Sequence, residues 1–157
     1  MASFEASLSQ SGVVLPEVAA PAGLYQPALC TGEFIYTSGQ LPLVGGMLVE
    51  PGGKGRVSNE GQDAAAHAAR ISAINAVAAL RSVAGSLDAI GRIVKLTVFV
   101  SSAPGFTNQH LVANGASALI SEIFGDMGRH VRSAVGVAAL PLDASVEVEL
   151  VATLLSR

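Results

Sequence analysis

A chain of 157 residues, 50% hydrophobic and only 13% charged, can fill one core, but it has too few charges to cover its own surface, ~25% being typical, so some apolar surface is expected to lie between subunits. The net charge of −3 and nine Lys and Arg with no basic run give no general attraction for phosphate backbones and argue against a nucleic-acid partner. The lone Cys30 cannot make an internal disulfide, which makes a reducing cytoplasm the default; Met1–Glu5 lacks the basic and apolar regions of a leader, and no run of about 18 apolar residues is present to span a membrane.

Residues 1–22 are polar, then rich in Pro and Ala, with a short apolar patch at Val13-Val14-Leu15. They read as an N-terminal arm or edge strand. Leu24–Leu29 is a short strand, Thr31-Gly32-Glu33 a turn, and Phe34–Ser38, rich in β-branched and aromatic residues, the second strand of a hairpin. Residues 44–58 hold five glycines and a proline and form a loop with a short strand at Met47–Val49. The clearest helix is Asn59–Ala84. Asn59 stands as N-cap with Gln62 three residues on, Ile71, Ile74, Val77, Leu80 and Val83 repeat along one side, and Gly85 ends it.

Ile93–Val100 is a strand whose Val94, Leu96, Val98 and Val100 share one face, with Ile93, Lys95, Thr97 and Phe99 on the other. Ser101–Gly105 turns into a second helix, Phe106–Phe124, anchored by Leu111, Leu119, Ile120 and Ile123. Val131–Val137 and Val146–Leu155 close the chain as strands. In the last, Val146, Val148, Leu150, Ala152 and Leu154 face one way and Glu147, Glu149, Val151, Thr153 and Leu155 the other. This order predicts a single α+β domain over 1–157, one sheet backed by two helices.

Two groups carry candidate chemistry. Arg132, beside Arg129 and His130 at the mouth of an apolar strand, is either a strand-end cation in a surface ion pair or a fork for a carboxylate. For a lone arginine the first is the commoner case, and the scarcity of acids raises the odds of the second. Glu147 and Glu149 lie two apart on one strand face. They are either a solvated edge or include a buried base or water anchor. His67, His110 and His130 are not spaced as a metal set. Ser38 lacks the surroundings of a nucleophile, whereas Gly39, with no Cβ, lets its backbone approach a ligand. No cofactor motif is present: Gly45-Gly46 and Gly52-Gly53 do not form a phosphate loop.

The combination resembles the YjgF/RidA family of enamine/imine deaminases, also known as L-PSP endoribonucleases. The matching pieces are Tyr25, Thr37-Ser38-Gly39-Gln40-Leu41-Pro42, Ile93–Val100, Asn114, Arg132-Ser133, Leu140-Pro141 and Val146-Glu147-Val148-Glu149, in family order over residues 22–155. The stretches Asn108–Gly115 and Gly128-Arg129-His130 mark a longer, less characterised branch. The resemblance implies a chorismate-mutase-like fold and a homotrimer with three clefts between subunits. It assigns the substrate carboxylate to Arg132 and the attacking water to Glu147, and it places Tyr25, Ser38, Gly39 and Asn114 along the cleft. It implies hydrolysis of 2-imino acids to 2-oxo acids and ammonia, with no metal and no cofactor. Ala134 replaces the cysteine common two residues after the arginine, and Leu24-Tyr25-Gln26-Pro27 departs from the usual Pro-Tyr-x-Gln.

A hairpin joining residues 131–137 to 146–155 would set Glu147 opposite Gly136, ~13 Å from Arg132, so the two are expected to meet at one ligand only if different chains supply them. Two other readings stand beside the deaminase: a trimeric, non-catalytic module for small carboxylates or a partner, and a ribonuclease, disfavoured by the missing basic stripe and stacking aromatics.

Overall fold

The computed structural model describes residues 3–18 and 23–156. In chain order the elements are α1 (Phe4–Ser11), β1 (Ala28–Thr31), β2 (Phe34–Thr37), β3 (Leu43–Val44), β4 (Met47–Leu48), α2 (Gln62–Ala84), β5 (Ile90–Ser101), α3 (Gln109–Phe124), β6 (Val131–Val137) and β7 (Val146–Leu154). The main sheet has the order β1-β2-β7-β5-β6, and β3 and β4 form a separate two-stranded ribbon. Only β6 runs parallel to its neighbour; the β1–β2, β2–β7 and β5–β7 pairs are antiparallel. The fold is the expected chorismate-mutase-like α+β layer, with α2 and α3 packed on one sheet face.

The core lies between that face and the helices. Ile93, Leu96, Val98 and Val100 of β5 and Val146, Val148, Leu150 and Ala152 of β7 are buried there. α2 covers β7 and α3 covers β5, and the buried side of α2 is lined with alanines, including Ala65, Ala69, Ala73 and Ala76. Small side chains let helix backbones approach closely. At Gly115 of α3 the approach is complete: a Cβ there would collide with the Ala66 carbonyl on α2. Both atoms belong to backbones of packed helices and neither can swing aside. Gly115→Ala is therefore expected to cost ~1–3 kcal/mol by overpacking, lowering Tm by about 4 °C or more; an unchanged calorimetric Tm would show that the helices slide apart freely.

Several local expectations are corrected. The N-terminal segment is neither arm nor edge strand over 4–11 but a helix, α1. Ser3 and Gly12 cap it locally, and long-range partners dock it: the Asp88 carboxylate accepts from Phe4 N (2.6 Å), Glu5 N (3.2 Å) and Ser3 Oγ (2.7 Å), and the Phe4 ring meets Phe124 edge-on at 5.0 Å. Hydrogen bonding by Ser3 holds Asp88 below its ordinary carboxyl range, in favour of the charged, capping form. The first long helix starts at Gln62 after Gly61, with no side-chain cap, because Ser58 to Gly61 form a turn of their own in which Gly61 N donates to Ser58 O. The second starts at Gln109, not Phe106, and the first hairpin strand starts at Ala28, not Leu24.

On β5, Ile93 joins Leu96 on the helix face, since the register shifts between Ile93 and Lys95. One extra residue there swaps the faces, and a second shift between Ile90 and Arg92 swaps them back, so Ile90 is buried as well.

The largest correction concerns the closing strands. β6 and β7 are not a hairpin; β5 lies between them. β5, α3 and β6 make a parallel crossover, which sets β6 on one edge of β5. β7 then takes the other edge, in the register Phe99↔Glu147 and Leu96↔Leu150.

Candidate functional site

Two clusters emerge, on opposite sides of the sheet. The first surrounds Arg132. In register with Leu96, it projects to the helix side at the β6 edge, against α3. Its Nη1 donates to Asn114 Oδ1 (2.9 Å) and to Ser117 Oγ (3.1 Å), and its Nη2 to the His110 carbonyl (3.1 Å). All three acceptors are neutral. Among the described residues Arg132 makes no ion pair: the three bridges are Arg70–Glu122, Arg81–Glu5 and Arg129–Asp126. The surface-ion-pair reading is thereby set aside. Among the described residues these three donations leave two of the five guanidinium N–H bonds free, the number a bidentate carboxylate takes.

The second cluster surrounds Glu147. Opposite Phe99 on β5, it lies on the face turned away from the helices. The strand after β2 crosses it: Gln40 N donates to Val148 O (2.8 Å) and Val148 N to Gln40 O (3.0 Å), bringing Gly39 against Glu147. A Cβ at residue 39 would overlap the Glu147 carboxylate, so glycine is what admits the acid here. Ser38 N donates to Pro27 O (2.8 Å) and Ser38 Oγ to Gln26 O (2.6 Å), tying this segment to the neighbour of Tyr25, whose ring is exposed. Asn75 on α2 donates to the carbonyls of Leu41 (2.9 Å) and Leu43 (3.0 Å) and clamps the segment from behind. Partial burial, then the nearby charge of Glu149, push the Glu147 carboxyl above its ordinary range, toward the pKa of a useful base.

Ser38, Gly39 and Glu147 are thus gathered on one side, with Tyr25 next in the chain to the Gln26 that Ser38 holds, and Asn114 and Arg132 on the other. Arg132 and Glu147 are three residues and two strand spacings apart, about 14 Å at the backbone, and their side chains leave opposite faces. The expected separation within a chain stands, with β5 rather than a hairpin as its cause. Sequence reasoning missed Ser117, His130 and Asn75 as partners. The i, i+3 spacing of Asn114 and Ser117 was the legible signal for the first; the other two depend on tertiary approach.

The open sheet face carries Leu29, Phe34, Tyr36, Val131 and Val135, all exposed in the isolated chain. Among the described residues no helix is long and apolar enough to cross a membrane.

The fold and this split arrangement define a chorismate-mutase-like protein with a candidate small-ligand site at its sheet. Residues 5–154 match the family model described as "YjgF/chorismate_mutase-like, putative endoribonuclease", and the chain belongs to that family. It is 47% identical over 147 residues to Protein TCP17 of Trypanosoma cruzi, covering 92% of this chain and 89% of that one. Protein Atu1372 of Agrobacterium tumefaciens, of unknown function, superposes with a TM-score of 0.85 at 40% identity, over 96% of this chain and 92% of that one. A more distant structure, Escherichia coli TdcF with bound serine, gives a TM-score of 0.57 at 28% identity, over 88% and 93%.

Proposed function

We propose that this protein hydrolyses 2-imino acids and their enamine tautomers to 2-oxo acids and ammonia, in clefts between sister chains of a homotrimer. The observation that carries the reading is the division of the two clusters. A guanidinium with two unused donors and a carboxyl with a raised pKa face away from each other in one chain. A second copy, docked on the exposed apolar sheet face, would oppose the Arg132 of one chain to the Glu147 of the next. The serine in TdcF, an amino acid with a carboxylate, supports a ligand of this size and charge.

In this reading Arg132 binds the substrate carboxylate through its free N–H pair, and Asn114 keeps the fork in place. Tyr25, Ser38 and Gly39 line the opposite wall. Glu147 accepts a proton from water as the water oxygen bonds to the imine carbon. The C=N π electrons pass to nitrogen, which takes up a proton. The resulting carbinolamine, protonated again on nitrogen, expels ammonia as its hydroxyl loses a proton and becomes the 2-oxo group. The imine is already electrophilic, so placement of the water and stabilisation of charge supply the acceleration.

The test is ammonia release from 2-iminopropionate formed in situ. Ligand-induced stabilisation without turnover would favour a non-catalytic carboxylate-binding module instead. Subunit mixing tests the division between chains. Arg132→Ala and Glu147→Gln, each inactive alone, are unfolded together and refolded. About a quarter of wild-type activity is expected to return, because random assembly gives that share of clefts an intact arginine from one chain and an intact glutamate from the other. No recovery would place both groups in one chain's own site.

A further inference from the structure

Behind Arg132 runs a hydrogen-bond chain that the reaction above does not use. His130 Nδ1 lies 2.6 Å from the Gly128 carbonyl. A carbonyl only accepts, so Nδ1 carries a proton, and in the tautomer with its single proton there Nε2 is the acceptor. Nε2 lies 3.0 Å from Ser117 Oγ, so the serine hydroxyl hydrogen is directed onto the ring. The serine oxygen then turns its lone pairs elsewhere, and Arg132 Nη1 donates to it at 3.1 Å. In that tautomer each link has one polarity, set from Gly128 outward: carbonyl, imidazole, hydroxyl, guanidinium.

We propose that Ser117 and His130 are positioning residues for the carboxylate fork. His130 orients the Ser117 hydroxyl, and Ser117, together with Asn114 and the His110 carbonyl, holds the Arg132 guanidinium in the one rotation that leaves two N–H bonds facing the ligand. This rests on the reading of Arg132 as the carboxylate anchor. A serine whose hydrogen is free to rotate would point it at the guanidinium part of the time and repel it. With the imidazole as a fixed acceptor that orientation is disfavoured. An ordered fork loses less freedom when it binds an anion.

The test begins on the ligand-free protein. Nitrogen NMR of the histidine rings is expected to show His130 protonated at Nδ1. The guanidinium signal that vanishes in Arg132→Lys is expected to show slow rotation about its Cζ–N bonds. Ser117→Ala and His130→Gln should both release that rotation, and Ser117→Thr, which keeps the hydroxyl, should retain it. Titration with 2-oxobutanoate, a stable product analogue, should then bind about tenfold more weakly in Ser117→Ala and recover in Ser117→Thr. A proton on Nε2, or a guanidinium equally ordered in Ser117→Ala and His130→Gln, overturns the proposal. An ordered guanidinium in a wild-type protein with no affinity for 2-oxobutanoate overturns instead the anchor reading on which it rests.

Discussion

Arg132→Ala is expected to lower kcat/KM for imine hydrolysis by about a hundredfold or more. The fork's two free N–H bonds would each make a charge-assisted hydrogen bond to the substrate carboxylate, worth ~1.5–3 kcal/mol apiece, and both vanish together. The cost in stability should be small. The partners left behind are the side-chain oxygens of Asn114 and Ser117 and the His110 carbonyl, all near enough to the surface to take water in exchange. Arg132→Lys separates charge from geometry. It keeps a cation at the β6 edge but offers one rotating ammonium in place of a planar pair of donors, and should fall between wild type and alanine. Initial rates of ammonia release against substrate concentration decide the matter, and a rate unchanged in Arg132→Ala would remove the carboxylate anchor from the scheme.

Glu147→Gln is the second large effect, a drop in kcat of roughly 10²–10⁴-fold for loss of a general base. Substrate affinity should change little, since glutamine fills the same space beside Gly39. The pH dependence follows from the direction of the shift. Burial first, and the Glu149 charge second, raise the Glu147 carboxyl. The base works only when ionised, so kcat rises with pH through that raised value, and the acid limb lies above the ordinary carboxylate range. Bound substrate neutralises Arg132, which leaves burial and Glu149 to set the limb seen in kcat. Glu149→Gln removes the like charge and should move the limb to lower pH while activity persists. A limb that stays in place would show that Glu149 is too well screened by water to matter.

Much of the candidate site was legible in the sequence. Arg132 and Glu147 stood out because a chain with 13% charge has few ionisable groups to spare, and Gly39 because a glycine after a strand marks close approach. The helix α3, the strand β7 and its two faces followed from periodicity alone. What failed were the features that depend on partners distant in sequence. α1 is an eight-residue helix with local caps at Ser3 and Gly12, but nothing local says what it docks on: Asp88, some 80 residues away, holds its first turn. The Ile93 face was misjudged because a bulge adds a residue without marking the composition. β6 and β7 are successive strands, and a hairpin is the simplest way to join them; the competing crossover through α3 is equally local in sequence and won β5's free edge.

The amino-acid order by itself indicated the two long helices, the main strands and the apolar side of β7, and that one cation and one acid near the C-terminus are set apart from the rest, since propensity, alternation and the scarcity of charge are properties of neighbouring residues. Only the tertiary structure decided that β5 separates those two groups, that they leave opposite faces of the sheet, and that Ser117 and His130 stand behind the guanidinium. Strand order and side-chain approach depend on which edges meet once the core is filled, and that choice is made by packing across the whole chain.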